Sequence, residues 1–445
     1  MNLSTSYRNI FKISAPIMIG GASQNIIALT DSLFLYHHDQ LMFAAMGFVG
    51  VYYLIIAAIG YGFSRGGQIF IARRMGEKNR LAIGHLTHTM IVFELLIATL
   101  MFLLMKFGSE PLFRLLAQSD TIIQHSLEYI QYRSWGIFFS YLGVAYVALY
   151  AGVARTSIIG YQTLVLIVVN LILNYGFIFG HFGLPTMGIG GAGLASTLAE
   201  AIAVVVFTGF IFLDRKKNPY FLFQIHPINW KSIRQIVRVS VPFIVQSIVG
   251  LGSWFLLFTW IENMGEEELA VSNLGRIAYL IFSVPIWGYA AGIQTMVSGY
   301  IGKNKLKAVI PIIWKTARLS LMTTCLIAFP FLILPEFFLY PLLGAEDMHL
   351  VYEAKPVFLV ILGLLAMFSV ATIFFNGLSG TGASFQGLNI QIVCTLIYLL
   401  CAFYIIKVRD MGLVWAWASE GIYWLLILFA SSAALQTEKW KGIFD

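Results

Sequence analysis

IFKISAPIMIGGASQNIIALTDSLFLY, residues 10–36, is an apolar run interrupted by one lysine and one aspartate. At 1.5 Å of rise per helical residue it is long enough to cross a hydrocarbon core of about 30 Å. It carries Pro16, Gln24, Asn25 and Asp31 and ends without a small-residue cleavage site, so it reads as a retained helix rather than a removable signal peptide. Comparable stretches follow at 44–71, 85–107, 121–150, 158–180 and 188–213, and again at 233–262, 270–300, 309–335, 350–377, 385–407 and 411–435. The composition agrees: 59% of the 445 residues are hydrophobic and 11% charged, against about 25% charged in soluble domains. The expected fold is therefore an all-α integral membrane protein of 12 transmembrane helices embedded in a lipid bilayer.

The charges sort by loop. With a cytoplasmic N-terminus, Arg73, Arg74, Lys78, Arg80, Arg155, Arg215, Lys216, Lys217, Lys231, Lys303, Lys305 and Lys307 fall inside, and the acidic loops with Glu266, Glu267, Glu268, Glu346 and Asp347 fall outside. Both termini are then cytoplasmic, and the net charge of +7 is explained by topology, with no nucleic acid as partner. Cys325, Cys394 and Cys401 lie in apolar segments without metal-ligand spacing. No phosphate loop, HExxH or GxSxG is present, which argues against an enzyme or an ATP-driven pump. The lack of a targeting extension fits a multi-pass protein of the cell inner (plasma) membrane.

The chain also repeats itself. Pro16 matches Pro242, Ala44 Ala270, Gly66 Gly292, Gln68 Gln294 and Gly76 Gly302, each pair 226 residues apart. Gly152 and Thr156 match Gly377 and Thr381 at 225, and Met187 and Gly188 match Met411 and Gly412 at 224. The slippage falls in loops, where insertions are tolerated. Six spans separate the copies, so they share one orientation: two pseudo-symmetric six-helix bundles, an N-terminal lobe over 1–213 and a C-terminal lobe over 233–445, joined by a cytoplasmic linker over 214–232. Bundles so related move substrates by rocking around a site between them.

An ionisable residue inside a span costs free energy unless it is paired or hydrated, which marks Asp31, Glu94, Glu200, Arg276 and Glu420. Asp31 lies roughly 8 Å below the outer surface at 1.5 Å per residue. Asn170 and Asn174, spaced i, i+4, project from one helix face near that depth, and Ser196 and Tyr129 reach the same layer. One carboxylate, two amides, a hydroxyl and a phenol suit either a proton on Asp31 or a Na⁺ held by hard oxygens. The amides and hydroxyl equally serve as glue between helices. Pro16, in the same helix as Asp31, removes a hydrogen bond and permits a bend. Glu200 lies one turn below Ser196, and Glu420 occupies a comparable depth in the last span; each either faces a cleft or is paired structurally. Tyr52, Tyr61 and Trp287 stand among the aromatics of the spans that would line such a cleft.

Together these residues resemble the multidrug and toxic compound extrusion (MATE) family. The resemblance is carried by Ala15-Pro16 with Thr30-Asp31-Ser32, by Ala44-Ala45, by Gly76-Glu77-Lys78-Asn79, and by Asn170-Leu171-Ile172-Leu173-Asn174. It continues through Gly180, Gly183-Leu184-Pro185 and Gly188 to Ser196, with Pro242 and Gly302-Lys303-Asn304 in the second half. It implies two six-helix lobes, secondary-active export of small, amphipathic or cationic molecules driven by H⁺ or Na⁺, and a cation site at Asp31, Asn170, Asn174, Ser196 and Tyr129. Family members often carry threonine where Ser196 stands. The acids that one branch, the NorM-like, carries deep in its seventh and tenth spans are missing here, which points to the DinF-like branch. The expected activity is antiport by a monomer without cofactor. The alternatives are a lipid-linked oligosaccharide flippase of the same superfamily, which would want several deep basic residues, and, from another class, a membrane-embedded enzyme or receptor.

Overall fold

The computed structural model describes residues 5–117, 119–214, 220–222, 224, 230–337, 348–437 and 440; the side chains of 22–25, 28–29, 266 and 348–350 lie outside that description. The expectations for Gln24, Asn25, Glu266, Glu346, Asp347 and most of the linker, Arg215, Lys216 and Lys217 among it, therefore fall outside the described residues.

All regular structure among the described residues is helical. The long helices are α1 (Tyr7–His38), α2 (Gln40–Gly76), α3 (Arg80–Leu103), α4 (Asp120–Gly152), α5 (Ser157–Phe179) and α6 (Gly188–Asp214). The second set is α7 (Trp230–Glu262), α8 (Glu266–Gly302), α9 (Val309–Ile333), α10 (Met348–Gly380), α11 (Ser384–Phe403) and α12, which runs over Leu413–Ala418 and Glu420–Gln436, joined by Ser419 in helical conformation. Eleven of them, α2 to α12, are long and apolar enough to cross a membrane by length and composition; α1 is 32 residues long. Helices satisfy their own backbone groups, which is what the bilayer core demands.

Several helices run longer than the apolar stretches that predict them. The third, expected over 85–107, continues through a π-helical turn at Leu104–Gly108 into the amphipathic segment Ser109–Leu116, where Arg114 and Glu110 pair at 3.0 Å. Hydropathy stops where charge begins, whereas helical hydrogen bonding carries on into the polar interface. Between α1 and α2 only Asp39 intervenes; its Oδ1 accepts the N–H groups of Leu41 at 2.7 Å and Met42 at 3.0 Å. Those two bonds hold the Asp39 carboxyl below its ordinary range.

Packing divides the chain into an N-terminal unit, Ile19–Ile244, and a C-terminal unit, Met1–Met18 with Val245–Asp445. The cut thus falls inside α1 and α7, two residues beyond Pro16 and Pro242 respectively, so each repeat's leading helix is shared between units. Inside the N-terminal unit α2 packs on α3 and α4, and α6 on α4 and α5. The C-terminal unit repeats the scheme, with α8 on α9 and α10 and α12 on α10 and α11.

Small residues set the helix spacing in the N-terminal unit. A Cβ on Gly191 would sit 2.6 Å from the Phe177 carbonyl oxygen, and one on Gly193 would sit 2.6 Å from that of Tyr129. Helices in lipid associate through such close approach, since no hydrophobic drive separates helix from lipid tail. α5 ends at Gly180, in the left-handed region at φ 78°, and Met187 N–H returns to the Phe177 carbonyl at 2.8 Å, which fixes α6 against α5.

Gly193→Ala forces α4 and α6 apart against backbone and is expected to cost about 1–3 kcal/mol. Gly209→Ala on the same helix meets nothing within 4 Å and is expected to gain up to about 1 kcal/mol of helix propensity. Thermal unfolding of the two variants in detergent reads the opposite signs.

Candidate functional site

Four side chains from three helices of the N-terminal unit close a hydrogen-bonded ring. Asn174 Nδ2 donates to Asp31 Oδ1 at 2.5 Å and to Asn170 Oδ1 at 3.0 Å. Asn170 Nδ2 donates to Ser196 Oγ at 3.0 Å, and Ser196 Oγ donates to Asp31 Oδ2 at 3.1 Å. The i, i+4 spacing on α5 puts the two amides one above the other, and the Gly188 to Gly193 stretch lets α6 come close enough for Ser196 to bridge them to α1. All four are at most 3% exposed. Each oxygen of Asp31 has a donor, while Asn174 Oδ1 is buried with no hydrogen-bond partner. Such an unused amide oxygen beside a carboxylate is a ready ligand for a small hard cation.

Tyr129 is buried at 3% exposure on α4, with its backbone against Gly193, three residues before Ser196. It stands next to the ring without joining its described hydrogen bonds. Pro16 lies within α1, on the part that packs in the C-terminal unit.

Below the ring sits an ion pair, one partner of which the sequence reading leaves unmarked. Arg133 on α4 donates from both terminal nitrogens to Glu200 on α6, at 2.7 and 2.6 Å, with side chains 4% and 7% exposed. Its guanidinium also lies 4.0 Å over the Tyr53 ring. Gly136 leaves the room: a Cβ there would come within 2.2 Å of the guanidinium. Of the two roles open to Glu200, the geometry shows the paired one. Arg133 stands well inside the 121–150 stretch, so the criterion that marks Glu200 marks it equally.

Elsewhere, Glu94 accepts from Ser64 Oγ at 2.7 Å. Tyr52 accepts from Ser109 Oγ at 3.0 Å, and Tyr61 is exposed. In the C-terminal unit Trp287 packs against the apolar core, Arg276 lies 5.2 Å over the Phe258 ring, and Glu420 accepts from Tyr279 and Trp424. Among the described residues no three His, Cys, Asp or Glu side chains gather as a metal cluster.

Removing one partner of a buried, bidentate pair leaves a charge stranded. Arg133→Gln is expected to cost about 3 kcal/mol in thermal unfolding, and the double change Arg133→Met with Glu200→Met to restore most of it.

Comparison with known proteins agrees with this architecture. The MatE family model matches residues 16–176 and 242–404, one copy in each half of the chain. The chain is 26% identical over 419 residues to a protein of Thermotoga maritima described as probable multidrug resistance protein NorM, covering 92% of this chain and 88% of that one. Among solved structures it is similar to an outward-facing multidrug resistance MATE family transporter of the MOP superfamily (TM-score 0.87, 18% identity, 97% and 96% of the two chains). It is similar also to a MATE protein solved in a bent conformation (TM-score 0.86, 18% identity, 98% and 97%). The chain, all-helical among its described residues and matched by the family model once in each half, belongs to the MatE family, the multidrug and toxic compound extrusion transporters.

Proposed function

We propose that the chain is a secondary-active antiporter that exports small amphipathic or cationic molecules while H⁺ or Na⁺ enters through the Asp31 ring. The observation that carries this reading is the ring itself: a carboxylate, buried at 1% exposure, held only by neutral donors and bordered by an unused amide oxygen. A carboxylate so placed is poised to take up a cation. Binding a proton or Na⁺ cancels the charge toward which Asn174 and Ser196 donate, and charge-assisted bonds are roughly twice as strong as neutral ones. The grip of α5 and α6 on α1 then changes with the ion. α1 can respond because Pro16 interrupts its hydrogen bonding close to the point where the helix passes from one packing unit to the other. The bent form described for a similar MATE structure supports such a motion.

The protein works in this reading as a monomer in the cell inner membrane, both termini cytoplasmic, with no cofactor beyond the coupling ion. Placing the coupling in the N-terminal unit fits the DinF-like branch. The flippase reading gains no support from the deep basic residues: Arg133 is neutralised by Glu200, Arg65 lies over the Phe243 ring, and Arg276 over that of Phe258.

In everted vesicles or proteoliposomes with imposed pH and Na⁺ gradients, the native chain is expected to export a fluorescent cationic dye under one gradient. Asp31→Asn, which keeps the ring's shape, is expected to fall below about one tenth of that rate. Equal transport by both chains would make Asp31 structural and end this mechanism.

A further inference from the structure

We propose that Glu420 is a second proton-exchange site, built into the C-terminal unit and independent of the Asp31 ring. Its part in export rests on the antiport reading above; its binding of a proton does not.

Glu420 opens the longer segment of α12, directly after Ser419, and is 2% exposed. Its Oε1 accepts from Tyr279 OH at 2.9 Å and from Trp424 Nε1 at 3.1 Å. Its Oε2 is buried with no hydrogen-bond partner. This is unlike Glu200, whose two oxygens both meet Arg133.

No described cation bonds to Glu420. From α8 it faces Tyr279, while Arg276 on the same helix is exposed and lies over the Phe258 ring. α7 brings Trp254, against Tyr279 and with its indole N–H toward the carboxyl, and α10 brings Phe368, also against Tyr279; α11 brings Tyr398 and Cys394; α12 itself brings Tyr423. A carboxyl in this setting rests either neutral, with a proton on Oε2, or ionised beside a visiting cation. A metal ion wants several oxygens at once, and among the described residues no metal cluster forms. An organic cation wants an open aromatic face, yet these rings stack on each other: Tyr279 on Phe368 at 5.8 Å and 6°, Phe368 on Trp424 at 4.2 Å. The proton is the cation that fits.

The repeat gives the position a meaning. At the 224-residue spacing of Met187 and Met411, Ser196 corresponds to Glu420 and Glu200 to Trp424; at 226, Tyr53 corresponds to Tyr279. The hydroxyl that holds Asp31 in one copy is replaced by an acid in the other. Beside Glu420 the backbone stays helical, with Ser419 N–H on the Trp415 carbonyl at 3.0 Å and Ser419 Oγ on the Ala416 carbonyl at 2.6 Å, so the carboxyl is carried on one continuous helix.

The test is infrared titration of the full chain in lipid nanodiscs, in an Asp31→Asn background so that the first site is silent. The Asp31→Asn minus Asp31→Asn/Glu420→Gln difference spectrum is expected to show a carboxylic C=O band that grows as pH falls; Glu94, buried in both, cancels. The glutamine amide keeps an acceptor for Tyr279 and Trp424, and an unchanged unfolding temperature verifies that this variant folds. Asp31→Asn/Glu420→Asp is expected to shift the band, and Asp31→Asn/Trp424→Phe to keep it and move its midpoint. Identical titrations with and without Glu420, a Glu420 band that never changes with pH, or one that answers Na⁺ against choline and not pH would each overturn the proposal. A failure of Asp31→Asn to lose transport would leave the infrared result standing.

Discussion

A charge carried into the hydrocarbon layer has to find its counterpart on a neighbouring helix, and the interior of each unit is arranged around that demand. Lipid offers no hydrogen bonds, so every buried polar side chain is answered by protein or carries an open valence. The N-terminal unit shows both outcomes. Glu200 is closed off by a guanidinium that matches it oxygen for nitrogen. Asp31 receives only an amide and a hydroxyl, neutral donors that stabilise its charge without cancelling it. In the antiport proposed above the first arrangement stays as it is and the second exchanges, although both acids lie at similar burial. What separates them is the partner.

These contacts depend on how closely backbones approach. Phe177 and Tyr129 present carbonyl oxygens where any side chain on Gly191 or Gly193 would collide. The Ser196 hydroxyl reaches Asn170 and Asp31 because α6 sits so near α5. Gly136 does the same for the ion pair by leaving the volume that the Arg133 guanidinium fills. The glycine-rich stretch that marks the family in sequence is thus the means by which the polar groups meet, and rigid spacing is what makes a ring of four hydrogen bonds possible in a layer without water.

The sequence made much of this legible, for identifiable reasons. Apolar runs reported the spans, and identical residues at fixed separations reported the repeat. Helical rise placed Asp31, Asn170, Asn174 and Ser196 at one depth, and the structure brings these four into one ring. Depth and spacing say nothing about rotation around a helix axis, however. Whether Glu200 turned toward a cleft or a partner, and that its partner was Arg133, depended on which face of α4 met α6. Helix ends were also hidden, since α3 passes through a π-helical turn into a charged amphipathic segment that hydropathy reads as loop. Nor does sequence reveal that the first stretch of α1 packs with residues 245–445, because packing across such separations leaves no periodic trace.

The two halves share a scaffold and have parted in chemistry. Pro16 and Pro242, Gly66 and Gly292, Gln68 and Gln294 hold corresponding places, and the helices of each unit pack in the same order. The position of Asp31 is taken by Leu257, fully buried in an apolar cluster, and that of Asn170 by Thr395. At the Ser196 position stands Glu420, with Tyr279 and Trp424 as its donors. An acid cannot be added to a buried layer without its donors, so such a change involves several helices together: α8 and α12 supply in the second unit what α5 and α6 supply in the first. A duplicated bundle that kept both acids in register would have two like sites. This one places a carboxylate among amides in one unit and a carboxyl among aromatic rings in the other, so that under the two proposals above each would answer its cation over a different range.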